Sequence, residues 1–145
     1  MILSIGRSVF AIVLGLVLAV ALVVGIEVVN SILHPLPSGL DPCDPEVMKA
    51  HVVNYPPVIL LLAGLAWALT VLLSAWLATR LGTGRHPAHG ILIGALLFAA
   101  AIANMLMLPY PVWFWVLNLV AFPVCIYLGA RFGARSPTPT AAALT

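Results

Sequence analysis

The chain is 145 residues long, 63% hydrophobic and 7% charged, with a formal net charge of +2 and a mean hydropathy of +1.19. Ordinary soluble domains carry about 25% charged residues, so this deficit makes lipid the solvent for most side chains and excludes a water-soluble globular fold. The small charge gives no footprint for nucleic acid, and the two cysteines, Cys43 and Cys125, are too few for a disulfide framework and have no metal-ligand spacing.

Crossing a hydrocarbon core of ~30 Å takes roughly 20 mostly apolar residues in a helix. Four such runs predict an all-α, four-transmembrane-helix bundle forming one membrane domain over residues 1–135. The first run covers residues 8–33. Arg7 before it and Ala19-Val20-Ala21 within it offer the charged start and small residues of a cleavable signal peptide. The apolar stretch continues well past that point, which favours a retained helix, closed at His34-Pro35 because proline cannot continue the hydrogen-bond ladder. Ala21 and Gly25, at four-residue spacing, mark a helix-packing face. Glu27 is the only acid in any of the four runs. It lies roughly 9 Å below the helix end at Leu33 by helix rise. A carboxylate at that depth is costly unless protonated, paired or hydrated. Asn30 and His34 follow three and seven residues later, on the same helix face.

Residues 34–56 form a longer loop containing Asp41-Pro42-Cys43-Asp44-Pro45-Glu46 and His51. Oxygen, sulfur and nitrogen donors are present, but no metal spacing is matched. Helix-start chemistry is the better account: Asp44 caps a short helix beginning at Pro45, with Glu46 in its first turn. The second run, 57–79, opens at Pro56-Pro57, carries Gly64 and Ala68 for close approach, and is followed by the helix-breaking Gly82 and Gly84. Arg85, His86 and His89 then read as a short basic loop facing anionic lipid. The third run, 90–108, holds a Gly90/Gly94 packing pair beside a stripe of Ala95, Ala99 and Ala103. Asn104 lies near its outer end, as Asn118 does in the fourth run, 112–130, each roughly 7 Å deep. Pro123 cannot donate to Leu119, which predicts a bend and a free carbonyl beside Asn118. Residues 136–145 read as a disordered, functionally silent tail.

Basic residues in short loops are held on the cytoplasmic side. Arg7, Arg80, Arg85, Arg131 and Arg135 fall on one side, and Lys49 with Asp41, Asp44 and Glu46 on the other, which places both termini in the cytoplasm. Tyr55, Tyr110, Trp113 and Trp115 then lie at the outer interface, where amphipathic rings prefer to sit. The chain also matches itself. Asn30, Pro35 and Pro37 align with Asn104, Pro109 and Pro111 at an offset of 74, and Leu77-Ala78-Thr79-Arg80-Leu81-Gly82 aligns with Leu128-Gly129-Ala130-Arg131-Phe132-Gly133 at an offset of 51. The pattern predicts two helical hairpins related as a parallel repeat.

Glu27, Asn30, His34, Asn104 and Asn118 are the candidate ligand-binding residues, lining one polar pocket that opens outward. A small-solute, proton or cation binder or transporter would use Glu27 as acceptor, in a bundle that self-associates because four helices alone make a thin pore. The alternative is a structural subunit docking on a larger membrane partner through the small-residue faces, with the same polar groups as interhelical glue. No nucleophile motif, metal-ligand set or phosphate-binding glycine loop is present, so neither catalytic residues nor a cofactor are expected.

Glu27-Val28-Val29-Asn30, His34-Pro35-Leu36-Pro37-Ser38-Gly39-Leu40-Asp41-Pro42 and Pro109-Tyr110-Pro111-Val112-Trp113 together resemble small four-helix integral membrane proteins of bacteria, a family with no assigned activity. The resemblance implies a multi-pass protein of the bacterial inner membrane and carries no site residues of its own.

Overall fold

A computed structural model describes residues 2–135. Long apolar segments satisfy their backbone groups internally by forming helices, and the described residues fold into α1 (Ile2–Leu33), α2 (Pro45–Val53), α3 (Pro57–Leu81), a 3-10 turn (Thr83–Arg85), α4 (Ala88–Met107) and α5 (Val112–Ala134). Helices α1, α3, α4 and α5 are each long and apolar enough to cross a bilayer, as in a multi-pass membrane protein. The helices begin and end within a few residues of the apolar runs, except that α1 starts six residues before its run. Ala19-Val20-Ala21 lies within the unbroken α1, and α5 likewise runs continuously through Pro123. The predicted tail, 136–145, lies outside the described residues.

The short helix in the long loop follows from local chemistry. Asp44 Oδ1 accepts the Glu46 N–H at 2.9 Å, Pro45 occupies the first turn where its missing donor costs nothing, and Lys49 pairs with Glu46 at 2.8 Å. One turn upstream, Asp41 Oδ1 accepts the Cys43 N–H at 2.8 Å.

Helix α3 is the hub, packing most extensively against α5, then α1, then α4. Its approach to each neighbour runs through small residues. Ala11, Gly15 and Ala19 form the buried stripe of α1, and a Cβ on Gly15 would lie 3.1 Å from the Ala78 side chain. On α5, a Cβ at Gly129 would come within 2.5 Å of the Leu72 carbonyl, and one at Gly133 within 2.7 Å of Thr79. Gly64 faces Phe114 and Leu117 of α5. Of the expected packing residues on α4, Gly90 meets the Ala75 carbonyl and Thr79 hydroxyl of α3, and Gly94 meets Ile126 of α5. Ala21 and Gly25 correct the expectation for α1: both are exposed and nothing approaches a Cβ on Gly25 within 4 Å, because the face that α1 turns to the bundle is the Ala11-Gly15-Ala19 stripe. Ala95, Ala99 and Ala103 are exposed as well.

One end of the bundle is tied by polar contacts. Arg7 Nε donates to the Leu81 carbonyl at 2.8 Å, Arg80 donates to the Arg135 carbonyl at 2.7 Å, and Ser8 donates to Thr83 Oγ1 at 3.0 Å, while Thr83 Oγ1 donates to the Ser4 carbonyl at 2.6 Å. His89 belongs to this knot, with Nε2 at 3.0 Å from Ser8 Oγ and Nδ1 at 2.9 Å from the His86 carbonyl, rather than to an open lipid-facing loop. The start of α1 and the ends of α3 and α5 therefore share one end with the arginines, and α2 with Asp41, Asp44 and Glu46 lies at the other.

Candidate functional site

Glu27 stands on the last two turns of α1 and is exposed. It lines two chambers. The lower, of about 330 Å³, is walled by all four spanning helices: Val23 and Glu27 from α1, Trp67, Thr70 and Val71 from α3, Leu97, Ala100, Ala101 and Asn104 from α4, and Phe122 from α5. The outer, of about 160 Å³, is closed by Asn30, Val52 of α2, Tyr55, Tyr110 and Phe114. Glu27, Trp67 and Asn104 border both, so the two chambers adjoin at this level.

The polar groups around Glu27 are set by the helix ends. Asn30, one turn on, lines the outer chamber beside Glu27 and is itself buried. Asn104 Oδ1 accepts from Tyr110 Oη at 3.1 Å. Trp67 brings an indole N–H that is buried and has no hydrogen-bond partner among the described residues. An indole nitrogen can only donate, so this is a buried donor left without an acceptor beside the chambers. Its ring stands edge-on to Phe114 at 5.6 Å and to Tyr110 at 6.3 Å, and Tyr110 stacks on Phe114 at 4.7 Å. Burial and then the negative Glu27 push the Tyr55 and Tyr110 phenols above their ordinary value, so both remain neutral hydrogen-bonding groups. Among the described residues the ion pair is Lys49 with Glu46, and no basic side chain pairs with Glu27.

The five sequence candidates separate in space. Glu27, Asn30 and Asn104 converge on the outer chamber. His34 does not line it: its ring stacks on His51 at 4.5 Å and lies 4.4 Å from Tyr55, so Tyr55 stands between the histidines and the Glu27 chamber. His34 and His51 instead border a separate hollow of about 470 Å³ beneath α2. Asn118 is fully buried against Gly64 of α3, its Nδ2 donating to the Phe114 carbonyl at 2.8 Å, and it borders neither chamber. The direction of Asn118 around α5 is toward α3.

Trp67, Thr70, Tyr55 and Tyr110 complete the site and were not among the expected residues. A signal for Trp67 exists in the sequence. Tryptophan favours the membrane interface, whereas Trp67 is roughly 15 Å into its span by helix rise. Comparison of the chain with protein families, curated proteins and solved structures finds no match.

Proposed function

We propose that the protein binds a proton or small cation at Glu27, entering through the outer chamber, and that this site serves movement of the solute across the bilayer. The supporting observation is the convergence of Glu27, Asn104 and Trp67 on the junction of two chambers, one toward the outer surface and one within the span. An intramembrane carboxylate beside polar groups, with no basic partner, favours either a proton or a bound cation. Arginine placement supports orienting the chamber mouth away from the cytoplasm, and the resemblance to small bacterial proteins supports the inner membrane as its location. A duplicated origin of the hairpins belongs to the same proposal. In its support, α1 and α4 end in register, with His34 and Leu108 donating to the Asn30 and Asn104 carbonyls, and both asparagines face the outer chamber.

The test is infrared titration of the carboxyl band in the reconstituted full chain. A band absent from Glu27→Gln should appear as pH falls and respond to an added cation. A carboxyl signal that never responds to any cation, with Glu27→Gln liposomes passing protons as wild type does, would end this reading.

The second reading, an accessory or self-associating subunit, is favoured by the exposed small residues Ala21 and Gly25 on α1 and Ala95, Ala99 and Ala103 on α4. Gly25→Leu is its clean probe, since nothing among the described residues lies within 4 Å of a Cβ there. A partner or second copy that co-purifies in mild detergent and is lost in this variant supports docking. Unchanged assembly argues against it.

A further inference from the structure

We propose that the cation accepted at this site is organic: a substituted ammonium whose charged head sits in the outer chamber and whose apolar body extends into the lower one. The inference rests on the reading of Glu27 as a cation-accepting residue and adds the chemical class.

The walls decide the class. The outer chamber is lined by the aromatic residues Tyr55, Trp67 and Tyr110, backed by the buried Phe114, in a space that Glu27 also borders. A hard inorganic ion gives up its water only for several oxygen ligands in a defined shell. Here Glu27 is the one charged side chain in the lining, Asn104 Oδ1 is already taken by the Tyr110 hydroxyl, and most of the remaining wall is ring and alkyl surface. Aromatic faces instead attract alkylated ammonium groups, which carry a diffuse charge and shed little hydration, and tryptophan is the strongest such ring. Glu27 supplies the formal countercharge. The neutral phenols of Tyr55 and Tyr110 add the negative faces of their rings without adding a competing charge.

Size and continuity point the same way. About 160 Å³ is the space of roughly five waters, enough for a trimethylammonium head. A ~150 Å³ apolar cavity is sufficient for a benzene ring, so the 330 Å³ lower chamber, walled largely by Val23, Val71, Leu97 and Phe122, has room for an aryl or short alkyl body. Because Glu27 and Trp67 border both chambers, one molecule can place its charge at the junction and its body below it.

The test uses the full chain in detergent and radiolabelled benzyltrimethylammonium as the probe, in equilibrium dialysis. Expected are saturable binding near one per chain, competition by neutral neopentylbenzene at least about tenfold weaker than by the unlabelled cation, and a loss of about tenfold or more in Glu27→Gln and Trp67→Leu. Trp67→Tyr, which keeps a ring, should retain most of the affinity. Should Trp67→Leu fail to fold, the comparison of cation with neutral isostere in the wild type still decides. Equal competition by the isostere, or absence of saturable binding, overturns the organic class. If sodium shifts the Glu27 carboxyl band while benzyltrimethylammonium does not bind, the organic inference falls and the Glu27 proposal stands. Binding of the probe that is indifferent to Glu27→Gln overturns the organic inference, while the Glu27 proposal stands or falls by the carboxyl titration.

Discussion

Thr79 shows how one hydroxyl organises three helices. It is fully buried, and its Oγ1 accepts the Gly90 N–H at 3.1 Å across the α3–α4 contact. Gly90 lies in the first turn of α4, where N–H groups have no partner within the helix, and Pro87 at the cap offers no side-chain acceptor. Thr79 therefore caps α4 from a neighbouring helix, while its methyl side closes against Gly133 of α5. Thr79→Val keeps the shape and removes the acceptor, leaving a buried donor, and should cost about 1 kcal/mol. Thr79→Ser should cost less. Gly90→Ala is expected to be the worse change, because its new methyl meets the Ala75 carbonyl, which is backbone and cannot turn aside. A loss of about 1–3 kcal/mol should appear in SDS-induced unfolding from mixed micelles. If Gly90→Ala unfolds at the wild-type midpoint, the close α3–α4 approach is not present in the protein.

At the scale of elements, the sequence was most legible where a physical rule acts along the chain. Span length follows from hydropathy, and the start of α2 follows from Asp44-Pro45-Glu46, which caps, fixes φ and favours the helix dipole within one turn. What lies around a helix axis was much less legible. Lipid tails and neighbouring helices are equally apolar, so small residues facing either one read alike. That is why Ala21 and Gly25 stood out while Ala11, Gly15 and Ala19 carried the contact. The same limit explains Asn118, whose height was readable and whose direction was not. Trp67 stood out by its depth in the span, but its role depends on which helices stand beside it, which the run of apolar residues does not show.

Helix α2 carries a pH prediction of its own. Burial and then the adjacent His34 pull His51 below the ordinary 6.5, with a hydrogen bond to the His34 backbone opposing them. The groups facing this stack are Tyr55, which burial and Glu27 keep neutral, and Glu46, which is held by Lys49. A lowered histidine pKa means the unfolded segment takes a proton more readily than the folded one. The docking contribution is therefore complete above the ordinary value and is lost as pH falls through it. Amide exchange of α2, corrected for the intrinsic rate, should lose protection between about pH 7 and about pH 5. His51→Gln should flatten that dependence, and an unchanged slope would show that the histidine stack does not hold α2.

On the scale of the whole molecule, charge and chambers are arranged along one axis. The arginines cluster at the tied end, where Arg7 and Arg80 also close hydrogen bonds between helices, and the chamber around Glu27 sits near the end covered by α2. Five arginines on one side outweigh the single Lys49 on the other, so the tied end is expected in the cytoplasm. The two cysteines offer a direct check. Cys43 is exposed in the segment before α2, and Cys125 is partly buried within α5. A membrane-impermeant maleimide added to sealed right-side-out vesicles should label the protein at Cys43, and Cys43→Ser should abolish the labelling. Labelling only after permeabilisation would place α2 inside and turn the outer chamber toward the cytoplasm. Because Arg80 and Arg7 serve both charge and packing, Arg85 is the residue to neutralise when testing charge alone: four arginines still outweigh Lys49 in Arg85→Gln, so the Cys43 labelling should not change. A reversed orientation in that variant would show that the 3-10 turn, and not the sum of charges, holds the chain in place.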